Sequence, residues 1–208
     1  EEQAEEINSR HTNDRYLPGI ELPPNIKATV ELEESITKTP LVLVVVPSRA
    51  FRDVARRIGN TLEGDQILVH ATKGIEIDTF KRMSEILKDE TCALKIGALS
   101  GPNLAREIMD GHPSGALVAS RYNDVAAAFQ PLFAGSRMRI YSGRDVVGTE
   151  VAGAFKNIIA VAAGVADGMG MGDNAKALLV TRGLSEMARF GVALGADVFT
   201  FGGLAGIG

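Results

Sequence analysis

Thr39-Pro40-Leu41-Val42-Leu43-Val44-Val45-Val46-Pro47-Ser48 decides the fold class of this chain. The run Thr39 to Val46 is rich in β-branched residues and shows no polar alternation, which predicts a strand covered on both faces, as in a parallel sheet flanked by helices. Pro47 ends it, because proline has no amide to continue a ladder. Ser48 can cap the next segment, Arg49 to Leu62, where Phe51, Val54, Ala55, Ile58 and Leu62 recur at helical spacing. Strand, turn and helix in that order predict an α/β fold.

The alternation continues outward. Gln66 to Ala71 and Ala93 to Leu99 read as further strands, and Thr79 to Leu87 reads as the crossover helix between them. A helix is expected from Asn103 to Asp110, strands over Ser114 to Ala119 and Met138 to Tyr141, and a helix over Asp124 to Phe133 between those two. Beyond Asp145 the pattern changes to two long helical segments, Glu150 to Ala166 and Asp173 or Asn174 to about Leu194. The chain therefore divides into residues 1–145, an α/β domain, and residues 146–208, a helical one.

Composition narrows the function. The chain has 208 residues, 45% hydrophobic and 23% charged, enough to bury a sizeable core. A net charge of −4 and a pI near 5.5 exclude the basic footprint of a nucleic-acid binder. Cys92 is the one cysteine, so no internal disulfide or CxxC metal site can form, and a reducing compartment, the cytoplasm, is expected. His11, His70 and His112 are scattered without metal-ligand spacing, so no metal is expected. Glu1 to Glu6 is acidic where a signal peptide would be basic. The apolar stretch Val151 to Ala166 is interrupted by Lys156 and Asn157 and is shorter than the roughly 20 residues of a membrane span, so none is expected.

In open parallel sheets ligands lie beyond the carboxyl ends of the strands. Three such ends carry unusual residues: Val46-Pro47-Ser48, Thr72-Lys73-Gly74 and Ser100-Gly101-Pro102-Asn103. Gly101 lets backbone approach a ligand, Pro102 suits a first helical turn, and free amides at a helix start favour an anion. Lys73 is either a solvated surface lysine or a cation aimed at a phosphate or at a carbonyl oxygen gaining charge. Lys156 is the sharper anomaly, because its helix has almost no polar face. Either it bridges the domains in an ion pair, or it faces a cleft where burial lowers its pKa and makes it a proton donor and acceptor near neutral pH. Asn157 beside it either orients a ligand or pairs with backbone. The glycines of Gly168 to Asn174 and of Gly203 to Gly208 lack the spacing or the following helix of a dinucleotide loop. Phe199 to Phe201 is read as a short strand, and Arg182 with Glu186 as a helix-surface pair.

Taken in order, several segments resemble the NAD(P)-dependent glycerol-3-phosphate dehydrogenase family, particularly its bacterial biosynthetic branch. They are Arg15 to Gly19, Val46 to Ser48 through Phe51-Arg52, Lys73 to Glu76, Ser100 to Pro102 through Ala105 and Glu107, Gly153 to Asn157, Asp167 to Gly170, Thr181 to Leu184 through Glu186-Met187, and Thr200-Phe201 through Gly203 to Gly206. The resemblance implies a Rossmann-type parallel sheet domain followed by an all-helical substrate domain, with reaction in the cleft between them. It implies that Lys156 is the proton acceptor when glycerol 3-phosphate is oxidised and the donor when dihydroxyacetone phosphate is reduced. Lys73 would contact cofactor and substrate. Gly101, Asn103 and Asn157 would join Lys73 and Lys156 in holding substrate, Asn103 standing where a small hydroxyl residue is expected. Pro47, Ser48, Phe51 and Ala105 would meet the cofactor, NADP or NAD, with NADPH favoured. A homodimer supplying glycerophospholipid synthesis is implied.

The family's glycine-rich dinucleotide turn would lie before Glu1 and its substrate-phosphate grip after Gly208, so the 208 residues alone are expected to be inactive. Another two-domain hydroxyacid dehydrogenase and a non-catalytic nucleotide-sensing module are the competing expectations.

Overall fold

A computed structural model describes residues 1–208. The chain opens with helices α1 (Glu2–Arg10) and α2 (Leu32–Ile36), then alternates β1 (Leu41–Val44), a 3-10 turn (Ser48–Ala50) with α3 (Phe51–Thr61), β2 (Ile67–His70), α4 (Met83–Glu90), β3 (Lys95–Ser100), α5 (Ala105–Met109), β4 (Ser114–Ser120), α6 (Asn123–Phe129) and β5 (Met138–Gly143). Two long helices follow, α7 (Val146–Gly168) and α8 (Asp173–Ala193), and then a 3-10 turn, Val198–Gly202. The five strands form one sheet in the order β1-β2-β3-β4-β5.

Strands β1, β2 and β3 are parallel, in register Val44↔His70 and His70↔Ala98. Strand β4 runs antiparallel to β3, with Gly97↔Ser120, and β5 is parallel to β4. The sheet is therefore mixed, because hydrophobic period reports burial and not strand direction. One core cluster joins α3 and α4 to one part of the sheet through Phe51, Ile58, Leu68, Met83, Ile86 and Leu87. A second sets α6 on the sheet through Val69, Val118, Val125 and Phe129. Each fully enclosed aliphatic or aromatic side chain of this kind contributes about 1.5–3 kcal/mol. A third packs α7 and α8 around Val151, Met187 and Phe201. Gly191 is required there, because any side chain would enter the Phe201 ring.

Several expectations need correction. Leu43 and Val45 are exposed, so the β1 segment is not covered on both faces. The helix expected from Thr79 begins at Met83, since Phe80 holds a left-handed φ of 57° and the segment before it turns. The helix expected from Asn103 begins at Ala105 and is five residues long, so Pro102 lies outside its first turn and offers no helix start to an anion. Phe199 to Phe201 is a 3-10 turn and not a strand. Helix α7 starts four residues before Glu150 and runs for 23 residues, long and apolar enough by length and composition to cross a membrane. Its first half is nevertheless committed to protein, with Val151, Ala152 and Gly153 buried and Glu150 held in a polar cluster.

Candidate active site

Because β1, β2 and β3 are parallel, their three carboxyl ends lie along one edge. Thr72 fastens the first two, donating its hydroxyl to the Val46 carbonyl at 2.8 Å and accepting from the Val46 amide at 3.1 Å. Gly74 has a φ of 136°, and a Cβ there would press on Ser48 Cβ at 3.0 Å, so the β1 and β2 exits touch only because this position is glycine. Gly101 is similarly constrained, since a Cβ would come within 2.5 Å of the Gly115 carbonyl.

Lys73 folds back across this edge and donates its Nζ to the Leu99 carbonyl at 2.7 Å. Lys156 arrives from α7 and donates to the Gly101 carbonyl at 3.0 Å and the Gly208 carbonyl at 3.3 Å. The two amines thus bracket Ser100 at the end of β3. Gly153 makes the approach possible: a Cβ there would stand 3.0 Å from Lys73 Cδ and 3.2 Å from Ser100 Oγ. The Ser100 hydroxyl is enclosed and has no partner.

Neither lysine has a carboxylate within salt-bridge range, so Lys156 bridges the two halves of the chain through backbone carbonyls and not through an ion pair. Burial, followed by the charge on Lys156, holds Lys73 down at about 8, and burial lowers Lys156 as well. Both amines lose a proton more readily than a surface lysine does.

The other expected residues divide. Pro47 is exposed and Ser48 half-buried at the β1 exit, and Ala105 is exposed at the start of α5. Asn103 donates Nδ2 to the Gly115 carbonyl at 3.1 Å, leaving Oδ1 enclosed and unpartnered. Asn157 is exposed and joins Lys156, Leu184, Met187 and Gly206 to Gly208 around a cavity of about 280 Å³. Phe51 does not reach the edge. It is fully buried, its ring edge-on to His70 with centroids 5.8 Å apart, because its helical face is the one that fills the core.

Behind the lysines lies a group absent from the sequence reading. Glu150, on α7, is buried with its carboxylate 3.0 Å from His70 Nε2 and 2.5 Å from Arg82, and it accepts from the Ser84 amide and hydroxyl, each at 2.7 Å. Burial pushes its carboxyl up, but His70, Arg82 and Ser84 together outweigh this and hold it below the usual carboxylate range. The signal was available: Glu150 is an acid in the same apolar helix that made Lys156 stand out. A larger groove of about 530 Å³ lies at the amino end of α7, among Arg82, Arg121, Arg144 and Asp197. It contains neither depressed lysine.

A family model described as the NAD-dependent glycerol-3-phosphate dehydrogenase N-terminus matches residues 1–126, and its C-terminus counterpart matches residues 145–208. A glycerol-3-phosphate dehydrogenase [NAD(P)+] of Halothermothrix orenii is 48% identical over 99% of this chain and 60% of its own length. That of Lysinibacillus sphaericus is 45% identical over 100% of this chain and 62% of its own. The chain thus spans about 60% of the length of the curated relatives it matches. Among solved structures, glycerol-3-phosphate dehydrogenase from Coxiella burnetii superposes with a TM-score of 0.94 at 33% identity, covering 100% of this chain and 63% of the other. With both family models matching in chain order and the fold shared throughout, this chain belongs to the NAD-dependent glycerol-3-phosphate dehydrogenase family.

Proposed function

We propose that the protein carrying this chain interconverts dihydroxyacetone phosphate and sn-glycerol 3-phosphate with NAD or NADP. The observation that carries this reading is the pair of depressed lysines on either side of Ser100, cations with no carboxylate to neutralise them and therefore free to meet a substrate oxygen. The residues at the strand edge fit a dinucleotide: glycine at position 74 leaves no side chain over Ser48 at the β1 and β2 exits, Pro47 is exposed at the β1 exit, and Ala105 is exposed at the start of α5. Phe51 does not fit as placed, since it offers no exposed atom.

The nicotinamide, when bound, supplies or accepts the hydride. In the reducing direction the substrate's central carbonyl carbon gains that hydride while its oxygen becomes negative. Lys156 gives this oxygen a proton, and takes one back when the alcohol is oxidised. Lys73 stabilises the developing charge from the other side of Ser100. Gly101, packed tightly on β4, presents the carbonyl that holds Lys156 at the strand end, while Asn103 and Asn157 contribute amide groups at its margins. Release of Lys156 from its carbonyl partners precedes proton transfer. A homodimer in the cytoplasm, feeding glycerophospholipid synthesis, completes the proposal and rests on the family resemblance.

The test uses a full-length protein carrying these 208 residues, with oxidation of reduced nicotinamide followed on dihydroxyacetone phosphate and on unphosphorylated dihydroxyacetone. Rapid turnover of the first and poor turnover of the second are expected. Lys156→Ala is expected to lower kcat by about 10²–10⁴-fold with cofactor affinity retained. Equal turnover of both substrates would point to another hydroxyacid dehydrogenase, and an inactive parent would overturn the enzyme reading.

A further inference from the structure

Glu150 is costly to bury, and nothing in the proton transfer proposed above uses it. Its four contacts reach two other elements. His70 is the last residue of β2, three before Lys73; Arg82 and Ser84 stand at the start of α4; Glu150 itself lies in the second turn of α7, one turn before Gly153. Residues three apart on a helix share a face, so the face of α7 that Glu150 fastens to β2 and α4 is the face that Gly153 lays against Lys73. Lys156 follows one turn later. A displacement of α7 from β2 would separate the two amines and admit water between them.

We propose that Glu150 is a positioning residue, a clamp bonded to Arg82 and Ser84 at the start of α4 and seated 3.0 Å from His70 of β2, that fixes α7 against both elements and thereby sets the spacing of Lys73 and Lys156. This rests on the dehydrogenase reading for its consequence in catalysis, but its geometric content stands apart from it. The groups facing Lys73 are the Leu99 carbonyl and Ser100 from β3 and Lys156 from α7, while behind it Arg82 is shared between Glu150 and Glu85, and His70 lies against Glu150.

The informative variant is Arg82→Met/Glu150→Met, which removes both charges at once. Replacing a buried ion pair by apolar side chains leaves stability close to the parent's, while the directional bonds that set the register are lost. Two readouts then separate positioning from mere stability. In the full-length protein, kcat for dihydroxyacetone phosphate reduction is expected to fall about 100-fold while reduced-cofactor affinity holds, as for a displacement of about 1 Å. With isotope-labelled lysine, the Lys73 titration midpoint is expected to rise from about 8 towards the ordinary 10.5 as the site hydrates.

A variant that melts like the parent, turns over like the parent and titrates like the parent overturns the proposal. Should the double variant fail to fold, Ser84→Ala keeps both charges and removes the hydroxyl's two bonds, the one given to Glu150 and the one accepted from Arg82; a smaller rise of the Lys73 midpoint in the same direction supports the clamp, and an unchanged midpoint overturns it. An inactive parent would end the dehydrogenase reading alone, and the lysine titration would then decide the clamp by itself.

Discussion

Lys73 is a residue whose folded environment works against its charge. Unfolded, its amine titrates near 10.5; folded, burial and the neighbouring Lys156 bring it to about 8. A lowered folded pKa in a lysine means that the native state binds the proton less well than the unfolded chain. Stability is therefore reduced below pH 8 and recovers as pH rises from about 8 to 10.5. Lys73→Met is expected to raise unfolding free energy at pH 7 by about 1–3 kcal/mol, an advantage that fades over that window. Urea denaturation of parent and variant at pH 7 and pH 10 checks it; an advantage that grew with pH would contradict the assignment. Lys156 was legible in sequence because a charge stood in an apolar helix. Glu150 was equally anomalous, but its partners come from β2 and α4, far away in the chain, and no local pattern brings those together.

At the scale of elements, α7 is held by its first residue's neighbour. Asp145 caps the helix by accepting from the Gly148 amide at 2.8 Å, and it also accepts from the Asp197 amide at 2.9 Å and the Thr200 hydroxyl at 2.7 Å. One carboxylate thus sets the start of α7 and ties down the turn after α8. Asp145→Ala is expected to cost about 2–3 kcal/mol, more than an ordinary cap, because two tertiary donors lose their acceptor together. Thermal melting of Asp145→Ala beside Thr200→Val measures the two shares, and a loss below that of Thr200→Val would refute the cap. The strands and the helices between them were readable from hydrophobic period to within a few residues, whereas α1 and α2 were not. The start of α7 was not, since Val146, Val147 and Gly148 carry no helical signature and only the Asp145 cap and Thr200 decide where the helix begins.

Across the whole molecule, α7 and α8 pack on each other and on the sheet but leave an apolar stripe uncovered. Ile158, Val161 and Val165 are 62%, 69% and 56% exposed, and Leu178 on α8 is exposed as well. Contiguous apolar surface of this kind drives association. The 208-residue chain is expected to show a sedimentation-average mass that rises with concentration, and Val161→Lys/Val165→Lys is expected to abolish the rise without lowering the melting point. A concentration-independent monomer would contradict it.

Local sequence was enough to place most of the strands and the two long helices, and to single out both lysines. It was enough because hydrophobic period, turn residues and a charge out of place are properties of neighbours in the chain. Strand direction in β4, the edge-on packing of Phe51 on His70 and the polar cluster around Glu150 were settled by tertiary structure alone. Each depends on which distant residue shares a boundary, and that is fixed only when the sheet and α7 close on one another.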